Sequence, residues 1–105
     1  MSAPLSSPPA IPPGLESLLP MFVAEMVRDG QRLGTLTQGA AADLADHAHA
    51  MRGKAAMFGE TCLYDLLTLI ENAALAGDHA PIPDLVDQVS RRVQALGEYL
   101  AGHGR

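Results

Sequence analysis

The sequence predicts an all-α protein, an antiparallel up-down-up-down four-helix bundle preceded by a disordered, proline-rich N-terminal tail. Four segments carry apolar residues at helical spacing, and short joins separate them. The composition also favours helices, because Leu and Ala are abundant while the chain has two Phe, two Tyr and no Trp. Its 105 residues suffice for one domain with a single modest core. We therefore divide the chain into a tail, residues 1–14, and a bundle, residues 15–102.

The tail is defined by its prolines. Five of the first thirteen residues are Pro, which removes backbone donors and restricts φ, so we expect a disordered or polyproline-like segment. It lacks the basic start and continuous apolar run of a signal peptide. No later apolar run approaches the roughly 20 residues needed to span a membrane. We therefore expect a cytoplasmic protein without a membrane partner.

Four predicted helices follow the tail. The apolar spacing places them at residues 15–37, at 40–58, between Gly59 and Gly77, and at 82–100. Pro20 is tolerated only near a first turn, so we expect the regular part of the first helix to begin at residue 18 or later. Gly59 is a plausible C-terminal cap, and the short join there makes the third helix antiparallel to the second.

Charge and cysteine content exclude several classes of function. The formal net charge of −5 argues against a nucleic-acid partner, since phosphate binding requires a basic face. A single cysteine, Cys62, excludes an internal disulfide and a cysteine-based metal cage, and we expect it to be a small buried hydrophobe. A metal-binding bundle would carry inward-facing Glu-x-x-His pairs, which this chain lacks. We therefore expect no metal site.

The second helix combines a buried stripe with an exposed histidine. The stripe consists of Leu44, Ala48, Met51, Ala55 and Phe58. His49 points roughly to the opposite side, with Arg52 about 60° to one flank and Gly53 about 40° to the other. The remaining outer positions near His49 are small, namely Ala42, Ala45 and Ala56. We therefore expect an imidazole that is open to a partner.

The residues around His49 resemble a known family. The spacing His-x-(Leu/Met)-(Lys/Arg)-Gly-x-(Ala/Ser)-x-x-x-Gly is typical of histidine-containing phosphotransfer (HPt) domains. It is matched here by His49, Met51, Arg52, Gly53, Ala55 and Gly59. The resemblance extends over about residues 15–100. Arg52 stands where Lys is commoner, and Lys54 occupies a position that is usually small.

The resemblance implies a function in a two-component phosphorelay. His49 would accept a phosphoryl group through Nε2 from a receiver-domain aspartate and pass it to another receiver. Arg52 would neutralise the added charge, and Gly53 would provide clearance. The docking surface would include Ala42, Ala45, Asp46 and Ala56. The expected partners are response-regulator receivers and a hybrid histidine kinase. This chain would bind no cofactor, with Mg²⁺ held by the receiver.

Other interpretations remain beside this one. His47 is not the acceptor, because counting the motif from it puts Met51 where Gly is required. The chain has no nucleotide-binding motif, so we expect a relay intermediate without kinase activity, and a monomer. The alternative is a non-catalytic helical module that binds or sequesters a receiver. Gly53 could instead mark close packing with a neighbouring helix, and Lys54 could be a solvated or snorkelling side chain.

Overall fold

A computed structural model describes Leu5 and residues 7–103, and over that range it confirms the predicted all-α four-helix bundle, without any strand. The elements are a short 3₁₀-helix, Glu16–Leu18, followed by α1, Leu19–Leu36, α2, Ala41–Met57, α3, Thr61–Ala76, and α4, Ile82–His103. Consecutive helices pack against each other, and α1 also packs against α4, so the bundle is closed. Residues 1–4 and 6 of the predicted disordered tail lie outside the described residues.

The start of α1 is determined by Pro20. This residue lies in the first turn, where backbone N–H groups have no intrahelical partner in any case. An α-helix starting at residue 15 would have placed Pro20 in its interior, against the carbonyl of Glu16. The preceding residues form the 3₁₀ turn instead, in which Leu18 N–H donates to the carbonyl of Leu15 at 3.0 Å.

Two glycines end helices in the left-handed conformation. Gly59 follows α2 with φ of +65°, and Gly77 ends α3 with φ of +71°. Glu60, which immediately precedes α3, accepts a hydrogen bond from the Leu63 N–H at 3.1 Å and caps this helix. This tight turn sends α3 back along α2, which brings the outer faces of the two helices side by side.

The core contains apolar side chains from all four helices. Phe22 of α1 and Phe58, just after α2, stack with ring centroids 4.4 Å apart and planes inclined by 20°. Cys62 is buried as predicted, and desolvation raises the pKa of its thiol. The thiol is therefore neutral at physiological pH and behaves as a core side chain.

A buried ion pair joins the start of α3 to α4. Arg92 and Glu60 are only 1% and 3% exposed, and the Arg92 Nη2 and Nε groups donate to the two carboxylate oxygens of Glu60, Nε at 3.0 Å. The other amino group, Nη1, donates to the backbone carbonyls of Leu5, at 2.8 Å, and Ser7. The guanidinium is thus hydrogen-bonded on every nitrogen, as a buried cation requires.

The described part of the N-terminal segment contacts the bundle, which the sequence did not predict. It has no helix or strand before the 3₁₀ turn, but Leu5 and Ile11 pack against the core. A Cβ added to Gly59 would lie 2.5 Å from the carbonyl oxygen of Ala10, so the segment passes directly over the turn between α2 and α3. Glycine is therefore required at residue 59 both for its positive φ and for this close approach.

Replacing Arg92 should strongly destabilise the fold. In Arg92→Met, Glu60 would remain buried without its cation and two backbone carbonyls would lose their donor, so we expect the free energy of unfolding to fall by about 3 kcal/mol. Urea denaturation followed by far-UV circular dichroism measures this loss. The matched control is Glu60→Gln/Arg92→Met, which buries no unpaired charge and should recover part of the stability. An unchanged denaturation midpoint in Arg92→Met would contradict this account.

Candidate functional site

His49 lies at the exposed face of α2, as the sequence predicted. Its side chain is 64% exposed, whereas Ala48 and Met51 on the opposite side are buried in the core. Because α2 packs into the bundle through its buried side, the backbone that carries the imidazole is fixed in position. No hydrogen bond from a described residue reaches its Nε2 atom.

Two charged side chains meet the other ring nitrogen of His49. Glu71 of α3 places Oε2 at 3.0 Å from Nδ1, and Arg52, one turn further along α2, places Nη2 at 2.9 Å from the same atom. Nη2 of Arg52 is also 3.2 Å from Oε1 of Glu71. The three groups form a compact cluster in which an anion and a cation compete for Nδ1.

One arrangement of protons satisfies the cluster. Nδ1 cannot donate to Glu71 and accept from Arg52 at the same time. If it accepted, Oε2 of Glu71 would face a lone pair, and its buried Oε1 would have only the ion-pair contact with Arg52. If Nδ1–H donates to Oε2 instead, that oxygen is paired, and Arg52 keeps its ion-pair contact with Oε1 at 3.2 Å. We therefore assign the proton to Nδ1, which leaves the lone pair on the exposed Nε2.

Gly53 opens space beside His49. A Cβ added to this glycine would meet no atom within 4 Å, and the residue is exposed. Close packing with a neighbouring helix therefore does not explain a glycine here. Glycine in a helix interior costs about 1 kcal/mol relative to alanine, so packing within this chain does not favour glycine at residue 53.

The predicted docking surface needs one correction. Ala42, Asp46 and Ala56 are exposed, but Ala45 is 2% exposed and belongs to the core. Ala45 lies about 60° around α2 from Ala48, near enough to the buried stripe for the neighbouring helices to cover its small side chain. The prediction that Ala45 is available to a partner was therefore wrong.

Lys54 is 42% exposed, which agrees with a solvated or snorkelling side chain, but the sequence did not predict its ion pairs. Its Nζ contacts Asp29 Oδ2 at 2.9 Å and Glu25 Oε2 at 3.5 Å, which ties α2 to α1. The hydrogen bond to Asp29 raises the pKa of Lys54 above its ordinary 10.5, although partial burial acts in the opposite direction. The raised pKa means that this contribution to stability is present below about pH 10.5 and is lost as the amine deprotonates above it.

His47 is held on a different side of α2 from His49. Its Nε2 atom donates to the backbone carbonyl of Asp29 at 2.8 Å, and the side chain is half-buried. The nitrogen that an acceptor would need is therefore occupied. This geometry agrees with the exclusion of His47 on motif spacing.

The sequence did not reveal the contributions of Glu71 and Tyr64. Both lie on α3, seven residues apart, and therefore on one side of that helix. Glu71 contacts His49, and the Tyr64 ring lies under the Arg52 guanidinium, with 5.6 Å between Cζ and the ring centroid. The available signal was that polar and aromatic residues recur at helical spacing beside the buried stripe of α3. Which helix they would face could not be read from it.

The fold and the site together define a class of protein. A family model described as "Hpt domain" matches residues 17–99, which is most of the chain. The chain therefore belongs to the Hpt domain family, whose members serve in histidine phosphotransfer within phosphorelays and interact with receiver domains of two-component systems. Searches of curated proteins and of solved structures each found no match. Among the residues that the structure describes, no helix is long and apolar enough to cross a membrane.

The protonation state assigned to His49 is directly measurable. In the wild type, we expect the neutral ring to populate mainly the Nδ1–H form, because Glu71 accepts from it. Glu71→Leu removes that acceptor and leaves Arg52 to donate to Nδ1, so the Nε2–H form should increase. Glu71→Gln is the matched control, since its amide oxygen still accepts. Ring ¹⁵N chemical shifts at alkaline pH report the populations, and identical shifts in all three proteins would refute the assignment.

Proposed function

We propose that this chain is a phosphorelay intermediate that accepts a phosphoryl group on His49 from a receiver-domain aspartate and passes it to another receiver. The observation that carries the proposal is the difference in surroundings between the two ring nitrogens of His49. Nδ1 is engaged by Glu71, while Nε2 is exposed and has no partner among the described residues. A nucleophile needs an available lone pair and a fixed orientation, and this arrangement supplies both.

The transfer step follows from this geometry. The lone pair of His49 Nε2 attacks the phosphorus of the aspartyl phosphate, the N–P bond forms, and the P–O bond to the aspartate breaks. The leaving group is the aspartate carboxylate. As Nε2 gives up its lone pair, the ring gains positive charge, which the carboxylate of Glu71 stabilises through the Nδ1–H hydrogen bond. Transfer to a second receiver is the reverse of the same step.

The position of Arg52 changes how it would neutralise the phosphoryl group. Its Nη2 lies beside Nδ1 and Glu71, away from the end of the ring that would carry the phosphoryl group. In our proposal Arg52 stabilises the phosphorylated ring in one of two ways. Either it uses its other amino group from this position, or it changes rotamer once the phosphoryl oxygens compete with Glu71 for the guanidinium.

The partners in this proposal are receivers and the hybrid kinase that starts the relay. They would dock on the outer face of α2 around Gly53, at the exposed residues Ala42, Asp46 and Ala56. The interface would be modest, since a receiver must leave after transfer. Mg²⁺ would be held by the receiver, with no cofactor on this chain. We propose a monomer that acts in the cytoplasm with its receivers.

A labelling experiment tests the function. Wild-type protein incubated with a ³²P-labelled phosphoreceiver and Mg²⁺ should acquire acid-labile, base-stable label, whereas His49→Gln should acquire none. His47→Gln is the matched control and should be labelled like the wild type, because the Nε2 atom of that ring is engaged by the backbone carbonyl of Asp29. Binding of receivers without labelling of the wild type, across a panel from the host, would favour the sequestering module instead.

Gly53→Ala separates stability from function. Alanine is the better helix former and its Cβ would meet nothing within 4 Å, so we expect the free energy of unfolding to rise by about 0.5–1 kcal/mol. The same Cβ lies in the space that a receiver would enter, so the rate of labelling should fall. Thermal denaturation and the labelling assay measure the two effects. A variant that is more stable and labelled at the wild-type rate would argue against the clearance role.

A further inference from the structure

Arg52 is held by more than its ion pair. Its Nη2 contacts His49 and Glu71, and its guanidinium carbon lies 5.6 Å from the centroid of the Tyr64 ring, within the range of a cation–π interaction. The Arg52 side chain is 24% exposed, so this contact is partly shielded from water. The guanidinium is therefore restrained by the ring on one side and by the carboxylate at its edge.

We infer that Tyr64 is a positioning residue for phosphotransfer, acting through Arg52. The inference rests on the function proposed above for His49. The ring keeps the guanidinium beside Glu71, and Glu71 in turn holds Nδ1 of His49. Neither a hydrogen bond nor a ring interaction joins Tyr64 to His49 in the part of the chain that the structure describes, so its effect on the imidazole passes through these two charged side chains.

The ion pair alone does not fix the guanidinium. Oε1 of Glu71 is buried and accepts no hydrogen bond, although Arg52 Nη2 is 3.2 Å away. The ion pair alone therefore leaves the guanidinium able to turn. Nη2 already lies 2.9 Å from Nδ1 of His49, so any further turn towards the imidazole would compete with Glu71 for that nitrogen. Stacking on a ring restrains such rotation because it favours a planar cation over the aromatic face.

The same geometry makes the site specific for arginine. A lysine at residue 52 carries one compact ammonium, which cannot both cover the Tyr64 ring and reach the Glu71 carboxylate as a planar fork does. In this chain, the presence of Arg where the family more often has Lys is therefore matched to an aromatic residue on the facing helix. Tyr64 and Arg52 should behave as a coupled pair.

A double-mutant cycle tests the coupling. The variants are Tyr64→Leu, Arg52→Lys and the two combined, with Tyr64→Phe as the matched control that keeps the ring. Rates of label transfer from a phosphoreceiver are measured across receiver concentrations, to separate the transfer rate constant from receiver binding. We expect Tyr64→Leu to lower the rate constant about two- to fivefold without changing the half-saturating concentration. Tyr64→Phe should match the wild type, and Tyr64→Leu should have little further effect once residue 52 is lysine.

A second measurement needs no partner. The ring current of Tyr64 should shift the Arg52 side-chain protons upfield in the NMR spectrum of the free protein. The shift should persist in Tyr64→Phe and disappear in Tyr64→Leu. Far-UV circular dichroism of each variant controls for folding.

The outcomes distinguish this inference from the proposed function. A change confined to the half-saturating concentration would make Tyr64 a docking residue and overturn the inference. Independent effects of the two substitutions, or Arg52 protons insensitive to loss of the ring, would overturn it as well. Each of these results is compatible with label on His49. Absence of label on the wild type would instead overturn the proposed function, and the role of Tyr64 in transfer with it.

Discussion

The hydrogen bond between Glu71 and His49 is the constraint on which the site depends. It joins two helices through side chains 22 residues apart, so it exists only when α2 and α3 are packed in one register. The bond also gives the two imidazole nitrogens different surroundings, since Nδ1 is held by a carboxylate while Nε2 is exposed. The packing of the four helices thus determines which atom of the His49 ring is engaged and which is left exposed.

The register of α2 and α3 is secured at the turn that connects them. Gly59 allows the tight turn, Glu60 caps α3, and Arg92 of α4 neutralises Glu60 inside the protein. Backbone carbonyls of the N-terminal segment complete the hydrogen bonds of Arg92. A buried ion pair of this kind contributes little net stability compared with an apolar pair, but it penalises any arrangement that separates its members. In this protein, the ion pair fixes the start of α3, helix α4 and the N-terminal segment relative to one another.

The features that were predictable from sequence depend on residues close together along one helix. Apolar spacing identified the helices and the exposure of His49, and the glycine after α2 was a recognisable cap. The burial of Cys62 followed from its residue type alone. The burial of Ala45 was missed because the stripe of one helix does not show how far its neighbours cover its flanks.

Ion pairs between helices were missed for a related reason. Lys54 meets Asp29, and Arg92 meets Glu60, across 25 and 32 residues, and these pairings depend on how the helices are aligned. The attachment of the N-terminal segment was the least predictable feature. Its backbone carbonyls accept from Arg92, and a carbonyl is present in every residue, so this contact has no signature in the side chains.

Gly53 is a position at which selection for folding and selection for partner access can act separately. A Cβ added there meets no described atom of this chain within 4 Å, so folding does not require glycine at the position. If a partner's surface fills the open space, the size of residue 53 determines which partners can approach the imidazole. The choice of signalling partner could then change through a substitution at this one position, without loss of folding stability. Paralogues that share this bundle could thereby stop reacting with each other's partners through steric exclusion alone.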